Sequence, residues 1–184
     1  MSIAPAITFR GDARPSDSQA VRVIVASSEF FSPEEIDIAV ELIDDRLANG
    51  EASHYRFVFA EAGASAGEPV GYACFGRIPG TQASFDLYWI AVRNDHRHAG
   101  IGRTLLAESE RRIATEGGEG GARIYVETSS RAQYEPTRQF YLRNGYTIAS
   151  TLDDFYAPDD GKVTLVKVIG PGPSLGAKID QFNS

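Results

Sequence analysis

The sequence predicts a mixed α/β (α+β) fold in one domain over residues 1–170. A mostly antiparallel central sheet of about seven strands should carry helices on both faces. Three observations predict it. Strand-like and helix-like segments run in the order strand, two helices, three strands, helix, strand, helix, two strands. Hairpins at both ends enclose a strand–helix–strand unit, which is not the alternation of a doubly wound parallel sheet. The 184 residues suit one domain whose core needs neither disulfide nor metal.

Each element has a local reason. Ala4, Ile7 and Phe9 alternate with other residues and read as a first strand. Ser16 and Gln19 have the capping-box spacing and open a helix with Val21, Ile24 and Val25 on its apolar face. Ser32, Pro33 and Glu35 mark a second helix start. Ile36, Val40, Ile43 and Leu47 follow at helical spacing, and Asn49-Gly50 is the stop. Tyr55 to Glu61 and Val70 to Arg77 form a hairpin around the small-residue turn Gly63 to Pro69. Ser84 to Val92 is a long strand, with Phe85, Leu87 and Trp89 on one face and Asp86, Tyr88 and Ile90 on the other.

A glycine-punctuated loop then leads into a helix from about Gly100 to Glu116. Its core face is Ile101, Leu105, Ser109 and Ile113, and Glu108 and Arg112 form an i,i+4 pair. Gly117 to Gly121 breaks that helix. Arg123 to Thr128 reads as a central strand. Pro136 begins a short helix that carries Phe140 and Tyr141 and stops at Asn144-Gly145. Strands Tyr146 to Leu152 and Val163 to Ile169 close the fold around a turn at Asp159-Asp160-Gly161. Residues 171–184, rich in Pro and Gly at their start, are expected to form a flexible tail.

Composition excludes several classes. The formal net charge is −7 and the basic residues do not run together, so nucleic acid is not an expected partner. The local group Arg93, His96, Arg97, His98 and Arg103 suits a compact anion instead. No apolar run approaches a membrane span, and Met1 to Pro5 lacks the basic and apolar regions of a secretory signal. Cytoplasmic residence is the expectation, with no membrane partner. Cys74, the single cysteine, reads as a small buried hydrophobe. His96 and His98 lack the companions of a metal site, so no metal is expected.

The chemistry concentrates in strand 84–92 and the loop that follows it. Free amides at a helix N-terminus bind anions, and glycines let a bulky ligand come close. Gly100-Ile101-Gly102 opens the third helix in this way, and Arg97 and Arg103 can add charge-assisted contacts. Arg103-Thr104 stands where a Walker A loop needs Lys followed by Ser or Thr. Leu105 stands where a dinucleotide fingerprint needs its third glycine. What remains is R-x-x-G-x-G directly before an amphipathic helix.

With Asp86-Leu87-Tyr88-Trp89-Ile90-Ala91-Val92, Arg97-His98-Ala99-Gly100-Ile101-Gly102 and Phe140-Tyr141-Leu142-Arg143-Asn144-Gly145-Tyr146, the chain resembles the GCN5-related N-acetyltransferase (GNAT) superfamily. The resemblance covers roughly residues 3 to 169 and includes the order of elements. It implies a GNAT-like sheet with a splayed central strand pair, and acetyl-coenzyme A as co-substrate. The segment Ile90, Ala91 and Val92 would meet the pantetheine arm through main-chain groups at Ile90 and Val92. Amides from His98 to Arg103, including Ala99, Gly100, Ile101 and Gly102, would hold the diphosphate. Tyr141 would protonate the departing thiolate. At Tyr134 the chain departs from many relatives, which carry Asn there against the cofactor arm.

The implied reaction is N-acetyl transfer to a primary amine by direct attack on the thioester, through a tetrahedral intermediate. An alkylamine is mostly protonated at neutral pH, so a positioned carboxylate or water chain must take a proton. Asp86 is the leading candidate, because the histone-acetylating branch of the family places a general base on this strand. Glu61 and Glu127 on neighbouring strands are alternatives. The acceptor, a small-molecule or protein amine, is not legible. Its selectivity is expected to reside in residues 16–50 and in the last hairpin, where Asp153 to Tyr156 can line a pocket or form a solvated turn. The resemblance is compatible with a homodimer. A non-catalytic acetyl-coenzyme A-binding sensor or partner module would show the same loop. A nucleotide-phosphate enzyme fits poorly without a P-loop Lys.

Overall fold

The computed structural model describes residues 7–63, 67–97 and 99–170. Ala4 of the first strand, the middle of the Gly63 to Pro69 turn, His98 and the tail 171–184 lie outside the described residues. The elements are β1 (Ile7–Arg10), α1 (Asp17–Ala26), α2 (Pro33–Asn49), β2 (Arg56–Ala62), β3 (Pro69–Arg77), β4 (Ser84–Val92), α3 (Ile101–Gly117), β5 (Ala122–Ser129), α4 (Glu135–Arg143), β6 (Thr147–Ala157) and β7 (Asp160–Ile169). They build a seven-stranded sheet in the order β1-β2-β3-β4-β5-β7-β6. Every neighbouring pair is antiparallel except β4–β5. The mixed, mostly antiparallel fold is therefore the expected one. No helix among the described residues is long and apolar enough to cross a membrane.

Alternation along the strands feeds two cores, one on each face of the sheet. Phe57, Phe59, Tyr72 and Cys74 pack under α1 and α2, against Val21, Ile24, Val25, Ala39 and Ile43. Val58, Phe75, Phe85, Ile124 and Leu165 pack on the other face, against Leu105, Leu106, Ile113 and Tyr141 from α3 and α4. Each such buried side chain stabilises the fold by about 1.5–3 kcal/mol against the entropy of ordering it. Cys74 is a core residue: it is fully buried, and burial pushes its thiol pKa well up.

At α2, Ser32 and Glu35 form the reciprocal capping box. The Glu35 amide donates to Ser32 Oγ at 3.2 Å, and the Ser32 amide donates to the Glu35 carboxylate at 2.8 Å. At α1 the expected box with Gln19 does not form, because Ser16 is itself helical (φ −70, ψ −16) and makes no side-chain cap. Asp17 replaces it. Its buried carboxylate accepts the Arg14 amide at 2.7 Å and both ends of the Arg10 guanidinium at 2.8 Å. An ion pair to β1 thus sets where this helix begins.

Two further expectations are corrected. The last turn lies earlier than Asp159-Asp160-Gly161, since Ala157 already pairs with Asp160 and Asp159 takes the left-handed φ of 63. Asp160 is drawn inward by Ser129 and by Arg131, whose Nε lies 3.1 Å away. Gly161 is glycine for close packing, as a Cβ there would sit 2.7 Å from the Leu152 carbonyl oxygen. On β4, Trp89 does not share a face with Phe85 and Leu87. Cys74 stands opposite Trp89 but Phe75 opposite Leu87, which leaves Tyr88 as the extra residue of a bulge. Phe85 and Leu87 therefore face α3, Trp89 packs on the α1–α2 side, and Ile90 and Val92 return to the α3 side.

Candidate active site

The bulge at Tyr88 opens the sheet. β4 pairs with β5 only at Ser84↔Arg123, Phe85↔Ile124 and Asp86↔Tyr125. Beyond Asp86 the two strands part, while β5 stays paired with β7 as far as Ser129. On its other side β4 remains bound to β3, and the Arg93 amide donates to the Val70 carbonyl at 2.8 Å. Antiparallel pairing alternates from that bond. The main-chain groups of Ala91 thus turn toward β3, and those of Ile90 and Val92 turn into the gap. Such an unpaired edge is a template for an extended ligand.

The mouth of α3 lies just beyond the end of β4. Gly100 caps the helix with φ 76 and ψ 3, a left-handed conformation that glycine adopts without cost. Its carbonyl accepts the first helical bond, from the Thr104 amide at 3.2 Å. The preceding amides of Ile101, Gly102 and Arg103 have no acceptor among the described residues. Ile101 is buried and anchors the turn, and a Cβ on Gly102 would stand 3.8 Å from both Phe140 and Val92, at ordinary contact. Arg97, Ala99 and Arg103 are exposed. Arg103 also lines an open cleft of about 300 Å³ between α3 and α4, with Arg143 and the Lys167–Glu110 ion pair (2.7 Å). Sequence reasoning missed Arg143 and Lys167 because they come from different elements. In the loop, Asp95 bonds Arg93 and His96 at 2.8 Å each, and the Arg93 hydrogen bond above all pulls its carboxyl down to about 2.

Across the gap, on the α1–α2 face, Asp86, Tyr88, Tyr125 and Glu127 line a cleft of about 120 Å³. Two of the three carboxylates considered from sequence thus come together. Asp86 is half-buried, and burial raises its pKa above the ordinary carboxylate range. The neighbouring Glu127 charge adds to the rise, while His54 and Lys162 oppose it. Glu127 is paired with Lys162 at 3.0 Å. Glu61 lies elsewhere: it is buried on β2, with Arg10 at 2.8 Å and Arg14 at 3.3 Å. His54, far from this strand in the sequence, hydrogen-bonds Tyr88 Oη through Nε2 at 2.8 Å. It lies over Gly76, where a Cβ would come within 2.6 Å of its ring. That missing side chain on β3 was the only sequence signal for the contact.

Tyr141 reaches the sheet from the opposite face. It is buried on α4 between the rings of Phe140 and Tyr146, each centroid 5.2 Å away, and burial raises its pKa. Tyr134 stands edge-on to Phe30 at 4.8 Å, in a chain of rings that continues through Phe31 to Trp89. Asp86 and Tyr141 thus flank the parted strands from opposite sides of the sheet.

Comparison with known proteins agrees with this architecture. Residues 53–148 match the family model described as the acetyltransferase (GNAT) domain. A GNAT-family protein from Desulfovibrio desulfuricans is 41% identical, with a TM-score of 0.82 over 89% of this chain and 99% of that one. An aminoglycoside 6'-N-acetyltransferase from Enterococcus faecium shares the fold at 20% identity, TM-score 0.67, over 91% of this chain and 99% of its own. A Salmonella typhimurium protein solved with acetyl-CoA does so at 16% identity, TM-score 0.66, over 94% and 99%. No curated protein sequence matches. The family match spans the strands that part and the helix that opens beside them, and the chain belongs to the GNAT acetyltransferase family.

Proposed function

We propose that this acetyltransferase moves an acetyl group from acetyl-CoA to a primary amine, by direct attack on the thioester through a tetrahedral intermediate. The observation that carries the reading is the gap beyond Asp86. It has main-chain groups on one wall and helix amides at one end that find no partner among the described residues, and carboxylates at the other end. Acetyl-CoA supplies an activated carbonyl on a good leaving group. These residues fit such a molecule: an extended arm matches the strand edge at Ile90 and Val92, and a diphosphate matches the amides of Ile101 to Arg103. Arg97 and Arg103, and Arg143 in the neighbouring cleft, add positive charge for its phosphates. His98 and Ala99 complete the proposed loop.

Asp86 takes the proton that the ammonium must lose, directly or through one water. A raised pKa brings a carboxylate nearer to working pH and makes it a better base there. The amine nitrogen then forms the new C–N bond, the C–S bond breaks, Tyr141 gives its hydroxyl proton to the departing sulfur, and the nitrogen's second proton, lost as the amide forms, passes through water to restore the Tyr141 hydroxyl. Ser, Thr and Cys nucleophiles have no part in this scheme. The reading places the chain in the cytoplasm.

The test is thiol release from acetyl-CoA across a panel of amines, together with calorimetry of coenzyme A binding. Amine-dependent thiol release is expected. Tyr141→Phe should lower turnover about a hundredfold while leaving coenzyme A affinity nearly intact. Coenzyme A binding without thiol release on any amine would contradict transfer. Unchanged turnover in the variant would remove the acid role from Tyr141.

A further inference from the structure

We propose that the acceptor is a small monocationic primary amine on an aromatic or similarly flat apolar body, an arylalkylamine rather than a polycation; this rests on the transfer reading above. The first argument is charge. Two carboxylates line the cleft on the acceptor side of the gap, and the protein neutralises one of them. Glu127 is paired with Lys162 at 3.0 Å. Among the described residues Asp86 has no hydrogen-bonding side chain, and only the charges of His54 and Lys162 reach it favourably. One uncompensated carboxylate matches one ammonium. A polyamine or aminoglycoside would bring further positive charges against Lys162.

The second argument is the walls. Tyr88 and Tyr125 line the cleft itself. Tyr88 is held in place by His54, through the 2.8 Å bond, and by the edge-on ring of Tyr55 at 5.5 Å. Across the mouth, β6 carries Phe155 and Tyr156, which are 51% and 49% exposed although large and apolar. Phe155 lies 4.1 Å from Lys162 Nζ, the same ammonium that pairs with Glu127, so this arch closes on the cleft. Tyr88 stands close enough to Asp86 to feel its charge, while Phe155 and Tyr156 approach on the Lys162–Glu127 side, and exposed rings gathered at one cleft favour a ligand site over a solvated edge. They offer faces and edges that suit a flat ring, and a ring stacked there gains more than its buried area alone gives.

The third argument is size. The cleft holds about 120 Å³, and an apolar cavity of about 150 Å³ takes one benzene ring. The cleft thus has room for one flat ring at most, with the rest of the acceptor in the open mouth.

The experiment compares thiol release from acetyl-CoA with 2-phenylethylamine, n-butylamine, spermidine and kanamycin, on wild type, Tyr88→Leu and Tyr88→Phe. Wild type should prefer 2-phenylethylamine to n-butylamine by at least about tenfold in kcat/KM and turn over the two polycations least. Tyr88→Leu should bring the ratio toward one, and Tyr88→Phe, which keeps the ring, should retain most of it. Equal or better use of n-butylamine, spermidine or kanamycin by wild type overturns this inference and leaves amine acetylation standing. Thiol release with none of the four amines overturns it as well. Thiol release elicited only by other amines keeps the transfer reading, and no release with any amine ends both. The wild-type panel decides even where a Tyr88 variant does not fold.

Discussion

Two carboxylate regions on the same sheet carry opposite surroundings. At β1 and β2, Asp17 and Glu61 are buried beside Arg10, with Arg14 reaching Glu61 from the surface. Each carboxylate there has a guanidinium within hydrogen-bonding distance, and Arg10 also lies over the Phe59 ring at 4.5 Å. At β4 and β5, Asp86 is only half-buried, yet it has no hydrogen-bonding partner among the described residues and faces a second acid. The first group ties β1, α1 and β2 together. The second leaves a charge uncompensated where the sheet opens. Burial alone does not mark a functional acid; burial without a partner, beside a gap, does.

The largest expected effect is in the partnered region. Asp17→Ala leaves the Arg10 guanidinium buried with half its partners and removes the acceptor that holds the Arg14 amide ahead of α1. It should lower stability by about 3–5 kcal/mol, read by urea denaturation, with little change in turnover of the folded fraction. A loss under 1 kcal/mol would show that the network is not structural.

Asp86→Asn should do the reverse. Turnover should fall by about 10²–10⁴-fold. Stability at neutral pH should hold or rise slightly. The sign follows from the raised pKa: the folded state prefers the protonated acid, so ionising Asp86 costs stability as pH rises through its ordinary range, and Asn escapes that cost. The same shift predicts that wild-type kcat/KM falls on the acid side, through a carboxylate limb set above the ordinary range and below the amine's own titration. That limb should vanish in Asp86→Asn. A variant that keeps both its turnover and its acid limb would move the base elsewhere.

How legible each region was in the sequence follows from the reach of its interactions. The capping box of Ser32 and Glu35 spans three residues, and the Glu108–Arg112 pair spans four, so spacing alone exposed both. The glycine loop was legible because one short run sets both the left-handed cap and the exposed amides. The Arg10–Glu61 bond joins residues 51 apart and the His54–Tyr88 bond residues 34 apart, and no periodicity carries such pairings. Even alternation along β4 hid the bulge, which moved Trp89 to the other core and parted the strands. Ser16 looked like a cap because its spacing to Gln19 is right, but a buried Asp next door with an arginine partner sets the helix start instead.

The smallest effect sharpens the comparison most. Lys162 lowers the pKa of Asp86 from across the cleft. Lys162→Met removes that cation, so the acid limb of kcat/KM should move to higher pH by a fraction of a unit, with the fold intact. A limb that stays in place or moves down would show that Asp86 is not the titrating group.

The central claim is that the parted strands and the mouth of α3 together receive acetyl-CoA, and amide-resolved hydrogen exchange with and without coenzyme A tests it most directly. The account predicts new protection at the Ile90, Val92, Ile101, Gly102 and Arg103 amides, and none at Ala91, whose amide is already bonded to β3. Tight coenzyme A binding that leaves those five amides exchanging as before would contradict it.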